Sequence, residues 1–120
     1  MLAKANRITS ADDYRVIVRR GAKVAGAHTV SYLRSRESGI GARFGFIVSK
    51  KVGTAVRRNL VRRRLKAVCH EALVGGIEGV DVVVRALPGS ADVAWPALQA
   101  EVRDALQRSA VHTGRVTKGA

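Results

Sequence analysis

The stretch KKVGTAVRRNLVRRRLK, residues 50–66, holds eight cations and no acid. Gly53 and Thr54 separate it from the apolar run that precedes it. Thr54 is the predicted N-cap of a helix, because a threonine side chain can accept a hydrogen bond from an unpaired first-turn N–H. From Ala55 onward, apolar residues recur at helical spacing and form one narrow stripe: Val61, Leu65, Val68 and Ala72.

The rest of this predicted helix is basic. Arg57 and Arg64 flank one edge of the stripe, and the broad remainder carries Arg58, Asn59, Arg62, Arg63 and Lys66. Like charges four residues apart cost a few tenths of a kcal/mol each, and a helix N-terminus prefers anions to cations. A bound polyanion would offset both costs. The alternative is a merely solvated basic face, although such faces usually mix charges of both signs.

Composition supports a nucleic-acid partner. The chain has 120 residues, a formal net charge of +13 and a hydrophobic share of 47%, which predicts one folded domain over residues 1–120. Domains this basic usually bind nucleic acid or anionic membranes. Arginine supplies 16 of the 22 basic residues and suits RNA, since its planar fork binds phosphate and stacks on bases. Codon usage in a GC-rich genome is an equal explanation of the arginine preference, but not of the excess charge.

Several classes of protein are disfavoured. The single cysteine, Cys69, excludes a disulfide within the chain and a cysteine-based metal site; it lies just outside the apolar stripe, where we expect partial burial. No apolar stretch reaches the ~18 residues of a membrane span, and the N-terminus lacks the apolar core of a signal peptide. We therefore expect a cytoplasmic protein without a membrane partner.

Enzyme chemistry by the chain's own side chains is not predicted. The three histidines have no catalytic or metal-binding spacing, and the nine acids are scattered. A two-metal nuclease would need clustered carboxylates. Asp12 and Asp13 are better explained as charges in the first turn of a helix. We expect no catalytic residue and no metal ligand.

The predicted elements give the order αβββαβα. The first predicted helix is capped by Thr9 or Ser10 and ends before Gly21, and two further helices cover 55 to 73 or 74 and 91–109. The predicted strands cover 22–25, 29–34, 43–49 and 80–86. Residues 1–8 are predicted to be a loosely held arm and 110–120 a flexible basic tail, with the core at about 6–109. This order indicates an α+β fold, an α/β sandwich in which helices pack on a small mixed sheet. The strand–helix–strand unit over 43–86 predicts a parallel pair.

Two parts of the sequence resemble one family. SKKVGTAVRRNLVRRRLK, residues 49–66, resembles the signature of the protein subunit of bacterial ribonuclease P, and these positions match it: Lys50, Lys51, Gly53, Ala55, Val56, Arg58, Asn59, Arg62 and Arg63. The opening is similar as well: Asn6-Arg7-Ile8, Tyr14 after two acids, Gly21, and Tyr32 on the next strand. The resemblance covers residues 6 to 109.

The resemblance implies a function. The catalyst is an RNA, and Mg²⁺ ions held mainly by that RNA hydrolyse a phosphodiester of precursor tRNA to release its 5′ leader. The chain would be the accessory protein subunit of this endoribonuclease. Its partners would be the catalytic RNA subunit and precursor tRNA, and no protein partner would be required.

The resemblance also implies two binding surfaces. The RNA subunit would contact the basic helix and the turn before it, through Lys50, Lys51, Arg57, Arg58, Asn59, Arg62, Arg63 and Lys66. The leader would lie in a cleft between the first helix and the sheet, beside Arg7, Tyr14, Val18 and Tyr32. Aromatic rings beside basic residues suit single-stranded RNA, because any base can stack on a ring. Plain core packing is the alternative for the two tyrosines.

This sequence departs from the family pattern at two positions. Leu60 stands where a third basic residue is frequent, and Val18 stands where an aromatic residue is frequent. The resemblance also implies a left-handed β-α-β crossover, whereas physical reasoning alone favours a right-handed one.

Three rival functions remain at this point. One is a ribosomal-type or other structural RNA-binding protein of similar fold. Another is a DNA-binding protein, which would need a helix-turn-helix partner or a dimer seam. The third is a protein-only nuclease, against which the lack of a carboxylate cluster counts.

Overall fold

The computed structural model describes residues 2–36 and 40–112, with no side-chain detail for 109–112. Its helices are α1 (Ala11–Arg20), α2 (Ala55–Val74) and α3 (Trp95–His112), and its strands are β1 (Ala22–Ala25), β2 (Thr29–Ser35), β3 (Arg43–Ile47) and β4 (Val80–Ala86). Short 3-10 turns cover Lys4–Asn6, Lys50–Val52 and Ser90–Asp92. The order αβββαβα is as predicted.

The four strands form one mixed sheet in the order β1-β2-β4-β3. β1 pairs with β2 and β2 with β4 in antiparallel fashion, while β3 and β4 are parallel. Because α2 connects β3 to β4, the predicted parallel pair with a helical crossover is confirmed. The left hand of that crossover stays a prediction from the resemblance.

Helices α2 and α3 pack on one face of the sheet. The predicted stripe of α2 is buried there at Val61, Leu65 and Val68, and Ala72 packs against its edge. The sheet contributes alternate residues, among them Phe44, Val82 and Val84, and α3 contributes Leu98 and Val102. This face holds the larger of two hydrophobic clusters.

Helix α1 lies on the opposite face. Ile17 is its buried residue and packs in a second cluster with Ile8, Val30, Tyr32 and Val83. A helix is about 10 Å across, while four strands span about 15 Å. One helix therefore cannot cover this face, and an open groove remains beside α1.

The N-terminal arm is not loose, so that prediction is wrong. Leu2 and Ile8 are buried, the Ile8 N–H donates to the Phe44 carbonyl at 2.9 Å, and the Asn6 amide donates to the Ala42 carbonyl at 2.9 Å. β3 is an edge strand, and its outer backbone groups have no neighbouring strand to pair with. The arm supplies hydrogen-bond donors to two of the carbonyls on and beside this strand. The two apolar side chains fix the arm in place.

The bounds of the last helix also differ from the prediction. Ser90–Asp92 forms a 3-10 turn, and α3 begins at Trp95 rather than at 91. Pro96 explains the difference, because proline lacks an N–H and is tolerated only in the first turn of a helix. α3 also continues to His112, and the rest of the predicted tail, 113–120, lies outside the described residues.

Cys69 is fully buried, more deeply than predicted. It belongs to the cluster between α2 and the sheet. Burial raises the pKa of its thiol well above the ordinary value, because the low-dielectric surroundings disfavour the thiolate.

We predict that a thiol-reactive disulfide reagent at pH 8 labels Cys69 in the native protein at least about a hundredfold more slowly than in denaturant, since the thiolate forms only in opened molecules. The measurement is the labelling rate of the native and the unfolded chain. The double variant Cys69→Ala with Val74→Cys is the control, because Val74 is 76% exposed. Equal rates for native and unfolded wild type would contradict the burial.

Candidate RNA-binding site

The turn before α2 sets the direction of the basic helix. Val52 is buried in the main cluster, which leaves Lys50 and Lys51 exposed beside it. Gly53 has φ of 151°, a backbone conformation that favours glycine. Thr54 then caps α2 as predicted, and its hydroxyl accepts from the Arg57 N–H at 3.3 Å. The lysines are therefore held at the start of the helix.

One side of α2 carries most of the predicted RNA contacts. The Arg62 guanidinium donates to the Asn59 side-chain oxygen at 3.1 Å and to the Val48 carbonyl at 3.5 Å. Within the described ranges, none of the cations on this side forms an ion pair. We call it the basic face, and with the turn it consists of Lys50, Lys51, Arg58, Asn59, Arg62, Arg63 and Lys66.

Arg57 and Arg64 point elsewhere. Arg57 forms an ion pair with Asp92, and Arg64 donates to the Val93 carbonyl at 3.1 Å. Both contacts join α2 to the segment that leads into α3. Arg57 was predicted to contact RNA with the other seven residues, but the structure does not bring it to their side. The sequence already indicated this, because Arg57 and Arg64 lie on the edge of the apolar stripe opposite the basic face.

The groove beside α1 is lined by Ala11, Tyr14, Arg15, Val18 and Ile47. Tyr14 and Val18 were predicted to lie here. Sequence reasoning missed Ile47 and Arg15, although the alternation of β3 places Ile47 on the same face as Gly45. We call this feature the α1 groove.

The wall of the α1 groove depends on a glycine. A Cβ atom on Gly45 would lie 2.6 Å from ring atoms of Tyr14, so any side chain there would displace the ring. The Tyr14 hydroxyl accepts from the Phe46 N–H at 3.1 Å. This bond satisfies a backbone donor on the open edge of β3 and fixes the ring.

Tyr32 and Arg7 do not line the α1 groove. Tyr32 is 7% exposed and packs in the second cluster, as the core-packing alternative described. The Arg85 guanidinium lies over its ring, 5.7 Å from the centroid. Arg7 is exposed at the outer edge of β3, where its backbone forms a parallel β-bridge with Phe44. Of the four predicted cleft residues, the structure brings Tyr14 and Val18 together.

An ion network ties α1 to the sheet. Arg43 on β3 donates to both carboxylate oxygens of the buried Asp81, at 2.9 and 2.8 Å. It also contacts the Asp13 carboxylate at 3.3 Å. The hydrogen bond with Asp81 raises the pKa of Arg43, whose charge is thereby stabilised. Asp13 thus has a role besides its place in the first turn of α1, which sequence reasoning did not find.

The side chains do not fit a protein-held Mg²⁺ site. Over residues 2–36 and 40–112, no group of three or more histidine, cysteine or acidic side chains could hold a metal ion. Asp13 and Asp81 come together, but Arg43 occupies the space between them. The described side chains therefore offer no ligand set for a catalytic metal. Separately, none of the described helices has the length and apolar character of a membrane span.

The basic face and the α1 groove meet at the end of β3. Ile47 lines the α1 groove, the carbonyl of Val48 accepts from Arg62 on the basic face, and Lys50 follows two residues later. A single short segment therefore contributes to both surfaces.

Comparison with known proteins identifies the family. The family model Ribonuclease P matches residues 2–110. The chain is 51% identical over 110 residues to the ribonuclease P protein component of Clavibacter michiganensis, covering 91% of this chain and 96% of that one. It is 41% identical to the protein component of Pseudarthrobacter chlorophenolicus, over 89% of this chain and 79% of that one.

A solved structure agrees with these matches. The RNase P protein of Staphylococcus aureus superposes with a TM-score of 0.79 at 28% identity, covering 88% of this chain and 96% of that one. Sequence, family model and fold thus lead to the same result: the chain belongs to the family of bacterial ribonuclease P protein components.

Proposed function

We propose that this chain binds the catalytic RNA through the basic face and the 5′ leader of precursor tRNA in the α1 groove. The chain is the protein subunit of a ribonuclease P, an endoribonuclease of tRNA processing in which the RNA subunit is the catalyst. Its partners are that RNA subunit and precursor tRNA.

The chemistry of the basic face supports RNA binding. It presents six cations, and within the described ranges no acid neutralises them. RNA phosphates that lie beside these cations relieve their mutual repulsion, and the cations in turn displace the counterions condensed on the RNA. The Asn59–Arg62 hydrogen bond holds a planar guanidinium at a fixed place, which favours a phosphate contact.

The chemistry of the α1 groove supports binding of a single strand. Tyr14, Val18 and Ile47 offer apolar and aromatic surface on which a base can rest. Arg15 also lines the α1 groove, where it forms an exposed ion pair with Asp12 at 3.3 Å. Arg7 is exposed at the outer edge of β3, the strand that ends in Ile47. Since Tyr32 is buried, we assign it to packing of the floor below.

One observation carries the proposal. The end of β3 belongs to both surfaces, through Ile47 on one side and Val48 and Lys50 on the other. An RNA strand in the α1 groove would therefore pass directly beside the RNA bound to the basic face. This arrangement would deliver the leader to a catalytic centre made of RNA.

Mg²⁺ is required by enzymes of this family, and we propose that the RNA subunit holds it. When bound there, Mg²⁺ supplies the Lewis acid for hydrolysis. The absence of a fitting ligand set among the described side chains, together with the cations of the basic face, supports this division of labour. We also propose that the chain acts in the cytoplasm, where precursor tRNA is made.

The ribosomal-type alternative is not favoured. The relatives reported above carry the name ribonuclease P protein component, and the solved structure is an RNase P protein. No feature of the basic face or the α1 groove favours a ribosomal role over this one.

We predict that Arg62→Ala and Arg63→Ala each weaken binding to the catalytic RNA and lower the slope of log K against log salt by about one unit, because each removes one phosphate contact. The measurement is a salt titration of affinity. Arg108→Ala on α3, where Arg108 pairs with Asp104, is the control for the loss of one charge. Unchanged slopes for Arg62→Ala and Arg63→Ala would place the RNA face elsewhere.

We predict that Val18→Asp weakens holoenzyme binding of precursor tRNA by about tenfold and leaves mature tRNA unchanged, because a carboxylate in the α1 groove repels the leader phosphates. Affinities for both RNAs provide the test. The control is Val74→Asp, which adds the same charge at an exposed position at the end of α2. An equal loss for precursor and mature tRNA would count against leader binding in the α1 groove.

A further inference from the structure

We propose that Arg85 is a leader-binding residue, and that its guanidinium plane stacks against one base of the precursor. This inference rests on the proposed function, since it requires the leader to lie in the α1 groove. It adds a residue that neither the family motif nor the sequence pattern pointed to.

Strand register places Arg85 beside the α1 groove. It is paired with Ile47 of β3 on one side and with Val30 of β2 on the other. Paired residues of neighbouring strands point to the same face. Ile47 lines the α1 groove and Val30 belongs to the cluster beneath α1, so Arg85 projects from the floor between them.

The Arg85 guanidinium lies over the Tyr32 ring. The guanidinium carbon is 5.7 Å from the ring centroid, within the range of a cation–π contact. In the part of the chain that the structure describes, the Arg85 side chain forms no ion pair or hydrogen bond. Its donors are therefore available to a ligand, although its position is already restricted by the ring.

This geometry favours a base over a bare phosphate. A guanidinium is planar and delocalised, so a base can stack on its plane while the cation stays near the Tyr32 ring. Its N–H donors can also bond to the edge of that base. Arg85 would thus supply the stacking surface that the buried ring of Tyr32 cannot present.

The test is a scan of abasic sites through the leader, with affinity measured for holoenzymes that contain wild type, Arg85→Ala, Arg85→Lys or the control Arg108→Ala. For wild type and Arg108→Ala, we expect an abasic site at one position to weaken binding about tenfold. Arg85→Ala and Arg85→Lys should bind the intact leader about tenfold more weakly and show no further loss at that position. Mature tRNA should bind all four equally.

Two results would overturn the inference. If Arg85→Ala retains the wild-type penalty at every abasic site, Arg85 does not contact a base. If Arg85→Lys binds as wild type does, a point charge suffices and the plane has no role. Thermal unfolding of both variants checks the fold, and the lysine stem preserves packing on Tyr32.

Val18→Asp separates this inference from the proposed function. If it lowers precursor affinity and Arg85→Ala does not, leader binding in the α1 groove stands and Arg85 is excluded. If Val18→Asp has no effect on precursor affinity, leader binding in the α1 groove itself is contradicted.

Discussion

Burial of Val61, Leu65 and Val68 against the sheet is the interaction on which this structure depends. Helix α2 carries cations at spacings that repel one another, and its first turn has no acid to favour the helix dipole. Each of these side chains stabilises the folded state by about 1.5–3 kcal/mol when it is buried. Repulsion costs a few tenths of a kcal/mol for each pair. The free energy gained by burying the stripe therefore exceeds the cost of repulsion between the cations, and α2 stays folded while it displays a dense positive surface.

Strand β3 connects that surface to the α1 groove. Its alternation sends Phe44 and Phe46 towards α2 and α3, and Gly45 and Ile47 towards α1. Its outer edge would be unpaired, but the N-terminal arm and the Tyr14 hydroxyl satisfy its backbone groups. One short strand thus supports the core and the groove wall, and it leads directly into the basic face.

Local patterns in the sequence predicted much of this fold. The stripe and the cap predicted a helix from 55 to 73 or 74, and α2 spans Ala55–Val74. The β-branched run predicted β4 with its observed bounds, Val80–Ala86. The failures concern contacts between distant segments. Nothing local shows that Leu2 and Ile8 fix the arm to β3, that Asp81 binds Arg43, or that Tyr32 is covered by Arg85. The late start of α3 is a failure of another kind, because a local signal, Pro96, indicates that the helix begins near Trp95.

As a ribonuclease P protein component, this chain assists an RNA catalyst and does not cleave RNA itself. The most direct test is cleavage of precursor tRNA at low Mg²⁺ by the protein alone, by the cognate RNA alone, and by both together. We expect no cleavage by the protein alone, slow cleavage by the RNA alone, and fast release of the 5′ leader by both. Cleavage by the protein alone would contradict this division of labour, as would a mixture that is no faster than the RNA alone.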